Sequence, residues 1–67
     1  MSQRPTYHLA GKRGLWNLWQ EGVTEPVLQT RTKQEAIAKA RALAKRHLAR
    51  LLIHSERGGV SLELTFD

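Results

Sequence analysis

Residues 32–48 read TKQEAIAKARALAKRHL, and the fold turns on how this stretch is read. Thr32 and Glu35 have the spacing of a capping box, in which the Thr hydroxyl accepts from the amide of Glu35 and the Glu carboxylate reaches back to the amide of Thr32. Ala36, Ile37, Ala40, Leu43, Ala44, His47 and Leu48 then recur at helical spacing and give one apolar stripe. His47, lying on that stripe, is expected to be a partly buried packing residue. Lys33, Lys39, Arg41, Lys45 and Arg46 spread around much of the remaining circumference. That spread suits a solvated helix back better than a single groove contact, so the helix is expected to act as scaffold.

Working outward toward the N-terminus, residues 27–31 (VLQTR) form a short strand that delivers the chain to Thr32. Residues 6–10 (TYHLA) and 15–20 (LWNLWQ) read as two strands. The segment Gly11-Lys12-Arg13-Gly14 between them suggests a hairpin loop of about four residues. In the second strand, alternation sets Trp16 and Leu18 on one face and Leu15, Asn17 and Trp19 on the other. If Trp16 and Leu18 meet the helix, Trp19 faces away from it. Beyond the helix, residues 50–55 (RLLIHS) make a compact apolar strand and 56–59 (ERGG) a turn. Residues 60–66 (VSLELTF) alternate, with Val60, Leu62, Leu64 and Phe66 on one face. The expected fold class is α+β: an antiparallel sheet of four to five strands in the order β-β-β-α-β-β, with one helix packed on one face. Residues 1–5 read as a flexible lead-in and 6–67 as a single small domain.

Sixty-seven residues leave little core. Ordering costs roughly 1.5 kcal/mol per residue and nearly cancels what burial returns. With no cysteine, neither a disulfide nor a thiolate zinc site can staple the fold, so self-association is a natural route to extra buried area. No apolar h-region opens the chain and no run is long enough to span a bilayer, which leads to the expectation of a soluble cytoplasmic protein with no membrane partner. The net charge of +5 favours anionic partners. Seven basic residues and one acidic residue lie between positions 31 and 50.

Chemistry is poorly represented. The carboxylates are scattered, the glycines make no phosphate-binding fingerprint, and no nucleophile motif is present. The expected protein is not an enzyme, takes no cofactor and has no small-molecule substrate. His8 and His54 would meet across the sheet if their strands are neighbours, and a metal role for that pair is a minor reading; no metal site is assigned. Binding is better supported. Lys12 and Arg13 concentrate charge at the first hairpin tip, and an outward Trp19 beside them gives the aromatic-plus-cation pairing of a nucleic-acid platform. DNA or RNA is thus the expected partner. The alternative is a protein-interaction or homo-oligomerising module, a homodimer among the options, that works through the apolar last strand and Trp19.

The chain resembles a small uncharacterised bacterial family, domain of unknown function 2188. The resemblance rests on Tyr7-His8, Gly14-Leu15-Trp16-Asn17-Leu18, Glu21-Gly22, Thr32-Lys33-Gln34-Glu35-Ala36, Leu52-Ile53-His54 and Gly58-Gly59-Val60 in that order. It implies the same β-β-β-α-β-β layout and brings no activity with it, since the family has none assigned. The apolar ending 62–67 (LELTFD) and Trp19 depart from the family pattern, and both add hydrophobic surface. A looser likeness is to the three-strand-plus-helix DNA-binding arms of phage integrases, where the sheet reads the major groove and the helix packs behind it. That likeness implies Lys12, Arg13, Asn17, Trp19 and Arg31, on the open sheet face, as contact residues.

Overall fold

The computed structural model describes residues 4–55 and 57–67. Its elements are β1 (Thr6–Lys12), β2 (Leu15–Gln20), β3 (Leu28–Thr30), α1 (Lys33–Arg46), β4 (Arg50–His54) and β5 (Val60–Thr65). They form one five-stranded sheet in the order β3-β2-β1-β4-β5, with α1 on one face. The α+β layout with its single helix is as expected. Arg4 and Pro5 precede β1, and the Pro5 carbonyl accepts from the Arg50 amide at 2.9 Å; the rest of the expected lead-in, residues 1–3, lies outside the described residues, as does Glu56 of the expected 56–59 turn.

The sheet is mixed and not wholly antiparallel. β1–β2, β2–β3 and β4–β5 pair antiparallel, but β1 and β4 pair parallel, with Tyr7 opposite Leu51 and Leu9 opposite Ile53. The reason is directional. β3 runs the same way as β1, because two hairpin reversals separate them. α1 then carries the chain back across the sheet, so β4 sets out in the direction of β3, which is that of β1. A helical crossover between strands of one sheet makes them parallel.

The core lies between α1 and the middle strands. Ala36, Ala40 and Ala44, one turn apart, are fully buried against Leu9, Leu18, Leu51 and Ile53, with Tyr7 and Trp16 closing the ends. Alanine at the contact lets the helix backbone approach the sheet closely. Ile37 and Leu43 flank the stripe, partly buried.

The two ends of α1 differ from their sequence pattern in instructive ways. Thr32 is the N-cap, and its hydroxyl accepts from the Glu35 amide at 3.2 Å. The Glu35 carboxylate, however, turns to Lys39 at 3.0 Å, one turn ahead, so only half of the capping box forms. At the other end the helix stops at Arg46, and the stripe does not continue through His47 and Leu48. His47 is the exposed C-cap, which corrects its expected role as a packing residue. Leu48 takes φ +52° and is 55 % exposed. Its amide reaches Lys45 O at 3.3 Å while Ala49 N reaches Ala44 O at 2.8 Å. This is a Schellman termination with leucine where glycine is usual.

The first hairpin is tighter than its glycine spacing suggested. β1 runs through Gly11 to Lys12, and the loop is only Arg13 and Gly14, with φ +55° and +79°, the signature of a two-residue type I′ turn. Gly11 belongs to the ladder opposite Trp16. A Cβ there would stand 2.7 Å from the indole, so the missing side chain is the seat of the Trp16 ring. The second hairpin is looser. Ile53 pairs with Leu62 but His54 with Val60, so Ser61 is an extra residue whose hydroxyl donates to Ile53 O at 3.0 Å. The bulge puts Val60 opposite His54 and out of the Leu62–Leu64 row. Among the described residues α1 touches β1 to β4 and not β5, and Leu62 stays 48 % exposed.

Candidate nucleic-acid interface

With α1 on one side, the opposite face of the sheet carries the alternate residues of each strand. The antiparallel register puts Lys12 beside Leu15, Ala10 beside Asn17 and His8 beside Trp19. Gln29 stands next to Asn17 on β3. On β4 and β5, Leu52 lies beside Glu63 and Arg50 beside Thr65. Asn17, Trp19 and Lys12 therefore share one face, as their alternation suggested.

Trp19 is half-buried because it stacks on two imidazoles. Its ring lies 5.3 Å from His8 at 18° and 6.1 Å from His54 at 15°. The imidazole centroids are only 5.2 Å apart. Rings on opposite faces of the indole would be separated by nearly the sum of the two Trp19 distances, so both imidazoles lie on one side of it. They are locked together. His8 Nδ1 and His54 Nε2 are 3.0 Å apart, and His8 Nε2 is 3.1 Å from Glu21 Oε1. With His8 Nε2–H donating to the carboxylate, its Nδ1 accepts from His54 Nε2–H when both rings are neutral. β1 and β4 are thus the neighbours that let His8 and His54 meet. Among the described residues no group of three or more His, Cys, Asp or Glu is arranged to hold a metal.

On the β3 side of Trp19 lies an open cleft of about 470 Å³ lined by Asn17, Trp19, Val23, Thr24, Pro26 and Gln29. Val27 N donates to Leu18 O at 2.6 Å and Val23 N to Gln20 O at 3.0 Å, which pins the loop beside the indole. The floor is an amide pair, with Gln29 Nε2 donating to Asn17 Oδ1 at 2.6 Å.

The five candidate contact residues thus fall into two groups. Asn17 and Trp19 line the cleft. Lys12 and Arg13 line a second hollow of about 440 Å³ at the hairpin tip, with Gly11, Gly14, Leu15 and Trp16. Arg31 follows Thr30, which pairs with Trp16, so it sits at the tip end of the sheet. Between Leu15 and Trp19 the strand rises about 13 Å. Among the described residues Lys12, Arg13 and Arg31 form no ion pair, whereas Arg50 is engaged by Glu63 through Nη2 at 2.6 Å and Nε at 3.1 Å. Nothing in the local sequence pattern marks Val23 or Pro26 as lining a cleft with Gln29. Alternation of Gln29 with buried Thr30 is the signal available for that residue, and the cleft needs the β2–β3 register as well.

The matched family model spans residues 7–66 and is described as an uncharacterised protein conserved in bacteria, DUF2188; the chain belongs to that family. No curated protein and no solved structure matches it. No described helix is long and apolar enough to cross a membrane.

Proposed function

We propose that this member of an uncharacterised bacterial family is a small, non-catalytic, cytoplasmic nucleic-acid-binding module that works through the open sheet face and the Lys12/Arg13 tip. One observation carries the reading. The single helix occupies one face, and the other presents Asn17 and Trp19 in a row that ends at three cations without ion-pair partners among the described residues. Aromatic stacking with flanking positive charge is the general chemistry of nucleic-acid platforms. Titration of intrinsic tryptophan fluorescence with short DNA and RNA at low and moderate salt tests it. Binding that weakens as salt rises is expected, because phosphate contacts release counterions. Absence of binding at low salt, or a salt-independent signal, sinks it.

A second reading is favoured by β5. That strand is an uncovered edge with Val60 and Leu62 about half exposed, and an open edge invites pairing with another strand. A second copy added antiparallel there, with Leu64 opposite its own counterpart, sets Leu62 against Phe66 and Glu63 against Thr65, so no like charges meet. Sedimentation across a concentration series decides this reading; a strict monomer at the highest concentration removes it.

A further inference from the structure

We infer that the cleft beside Trp19 takes one unstacked base of a single-stranded nucleic acid, held against the indole and read by the Asn17–Gln29 amide pair. This rests on the nucleic-acid reading above and narrows it to one kind of strand and one subsite.

Three observations converge on it. First, one face of Trp19 is taken by His8 and His54, both on the same side, and the imidazoles are tied to each other and to Glu21. The indole is thus braced on one side, and it also lines the cleft. A braced aromatic loses little freedom when a flat ring joins the stack, and every base offers a π-face. Second, Val23 and Pro26 lie along the cleft with Trp19, giving apolar surface on which a planar ring can be enclosed. Third, the amide pair is half used. Gln29 donates one N–H to Asn17 Oδ1, which leaves Gln29 Oε1 as an acceptor and Asn17 Nδ2 as a donor on the same floor. An adjacent acceptor and donor match the edge of a base, as Asn and Gln do toward adenine.

Single strands follow from the same geometry. The faces of a paired base are covered by its neighbours in a duplex, so only a splayed-out base can stack on a side chain. The charge layout agrees. Glu25 lies in the chain between Thr24 and Pro26 of the cleft wall, and Glu21 is bonded to the His8 that stacks on Trp19, so this end of the sheet is suited to a neutral base and not to a phosphate. Lys12, Arg13 and Arg31 stand at the far end, about 13 Å along the sheet, where the strand's phosphates would run.

The test uses fluorescence anisotropy of labelled oligonucleotides, so that Trp19 need not serve as the probe. Wild-type protein is titrated with a single-stranded octanucleotide, with the duplex of the same sequence, and with adenosine monophosphate as competitor. Single strand should bind at least about 10-fold tighter than duplex. Trp19→Ala should weaken single-strand binding about 10-fold or more, the scale of one lost base stack. Gln29→Ala, an exposed change that leaves the core untouched, should cost about 5-fold and flatten preference among homopolymers. Lys12→Ala should lower the salt slope by about one and leave base preference intact. Equal affinity for duplex and single strand, or wild-type affinity in Gln29→Ala together with folded Trp19→Ala, overturns the base slot while leaving nucleic-acid binding standing. Competition by the mononucleotide at the octamer's own affinity assigns the cleft to free nucleotides and overturns the strand. Failure of wild type to bind any oligonucleotide removes the broader reading and this one with it.

Discussion

Trp16 and Trp19 stand three residues apart on β2 and live in opposite worlds. Trp16 points to the helix side, lies on the bare backbone of Gly11, is buried, and has the Lys33 ammonium 5.7 Å from its ring. Trp19 points away, half-buried, braced by two imidazoles and bordering a cleft. The helix side is shaped by size, with three alanines and one glycine allowing close approach. The open side is shaped by hydrogen bonds, from His54 through His8 to Glu21 and from Gln29 to Asn17. One face holds the domain together, and the other is built of groups that keep unused bonding capacity.

The contrast can be broken at several points, beginning with the tryptophans themselves. Trp16→Ala should cost about 3–5 kcal/mol, enough to unfold much of a domain this small, whereas Trp19→Ala should cost about 1 kcal/mol because its side is already wet. Urea denaturation of the pair compares them directly, and equal losses would mean that the two faces are energetically alike. Next comes Gly11→Ala. The new methyl meets the indole at 2.7 Å, and the displaced ring should lower stability by about 1–3 kcal/mol; an unchanged midpoint would show that Trp16 does not depend on that seat. Leu48→Gly should act in the opposite direction. It relieves a left-handed backbone on a half-exposed residue and should raise stability by about 0.5–1 kcal/mol in thermal melts. The smallest effect belongs to His54→Ala, expected to cost about 0.5 kcal/mol yet to shift Trp19 emission by removing a stacked ring. A shift without appreciable destabilisation would confirm that the imidazoles serve the indole more than the fold.

How far these features could be read from residues alone follows from their range along the chain. Alternation in LWNLWQ places Trp16 and Trp19 on opposite faces without any tertiary knowledge, and Thr32 announces the helix start through a contact three residues away. The hairpin tip misled because Gly11 looks like a turn residue, although its glycine is demanded by Trp16 across the ladder. His47 and Leu48 continue the apolar spacing beyond the point where the backbone leaves the helix. The relative direction of β1 and β4 follows from parity, since a helix between β3 and β4 restores strand direction, but that the two strands are neighbours does not. The Trp19 brace depends on residues 8, 19, 21 and 54, and the cleft on residues 17 to 29. Pairing across such separations needs strand order and register, which local pattern does not carry.

The parallel ladder between β1 and β4 has a consequence in time. Residues 6–9 form the centre of the sheet together with residues 50–53, so β1 is completed by a strand that is made 44 positions later, Thr6 standing opposite Arg50. A nascent chain on the ribosome can close the β1–β2 hairpin early, but one side of β1 stays unpaired until α1 and β4 have emerged. Contacts of such sequence separation slow folding. The exposed edge of β1, carrying Tyr7 and Leu9, is then the point at which an unfinished chain is most open to pairing with the wrong strand.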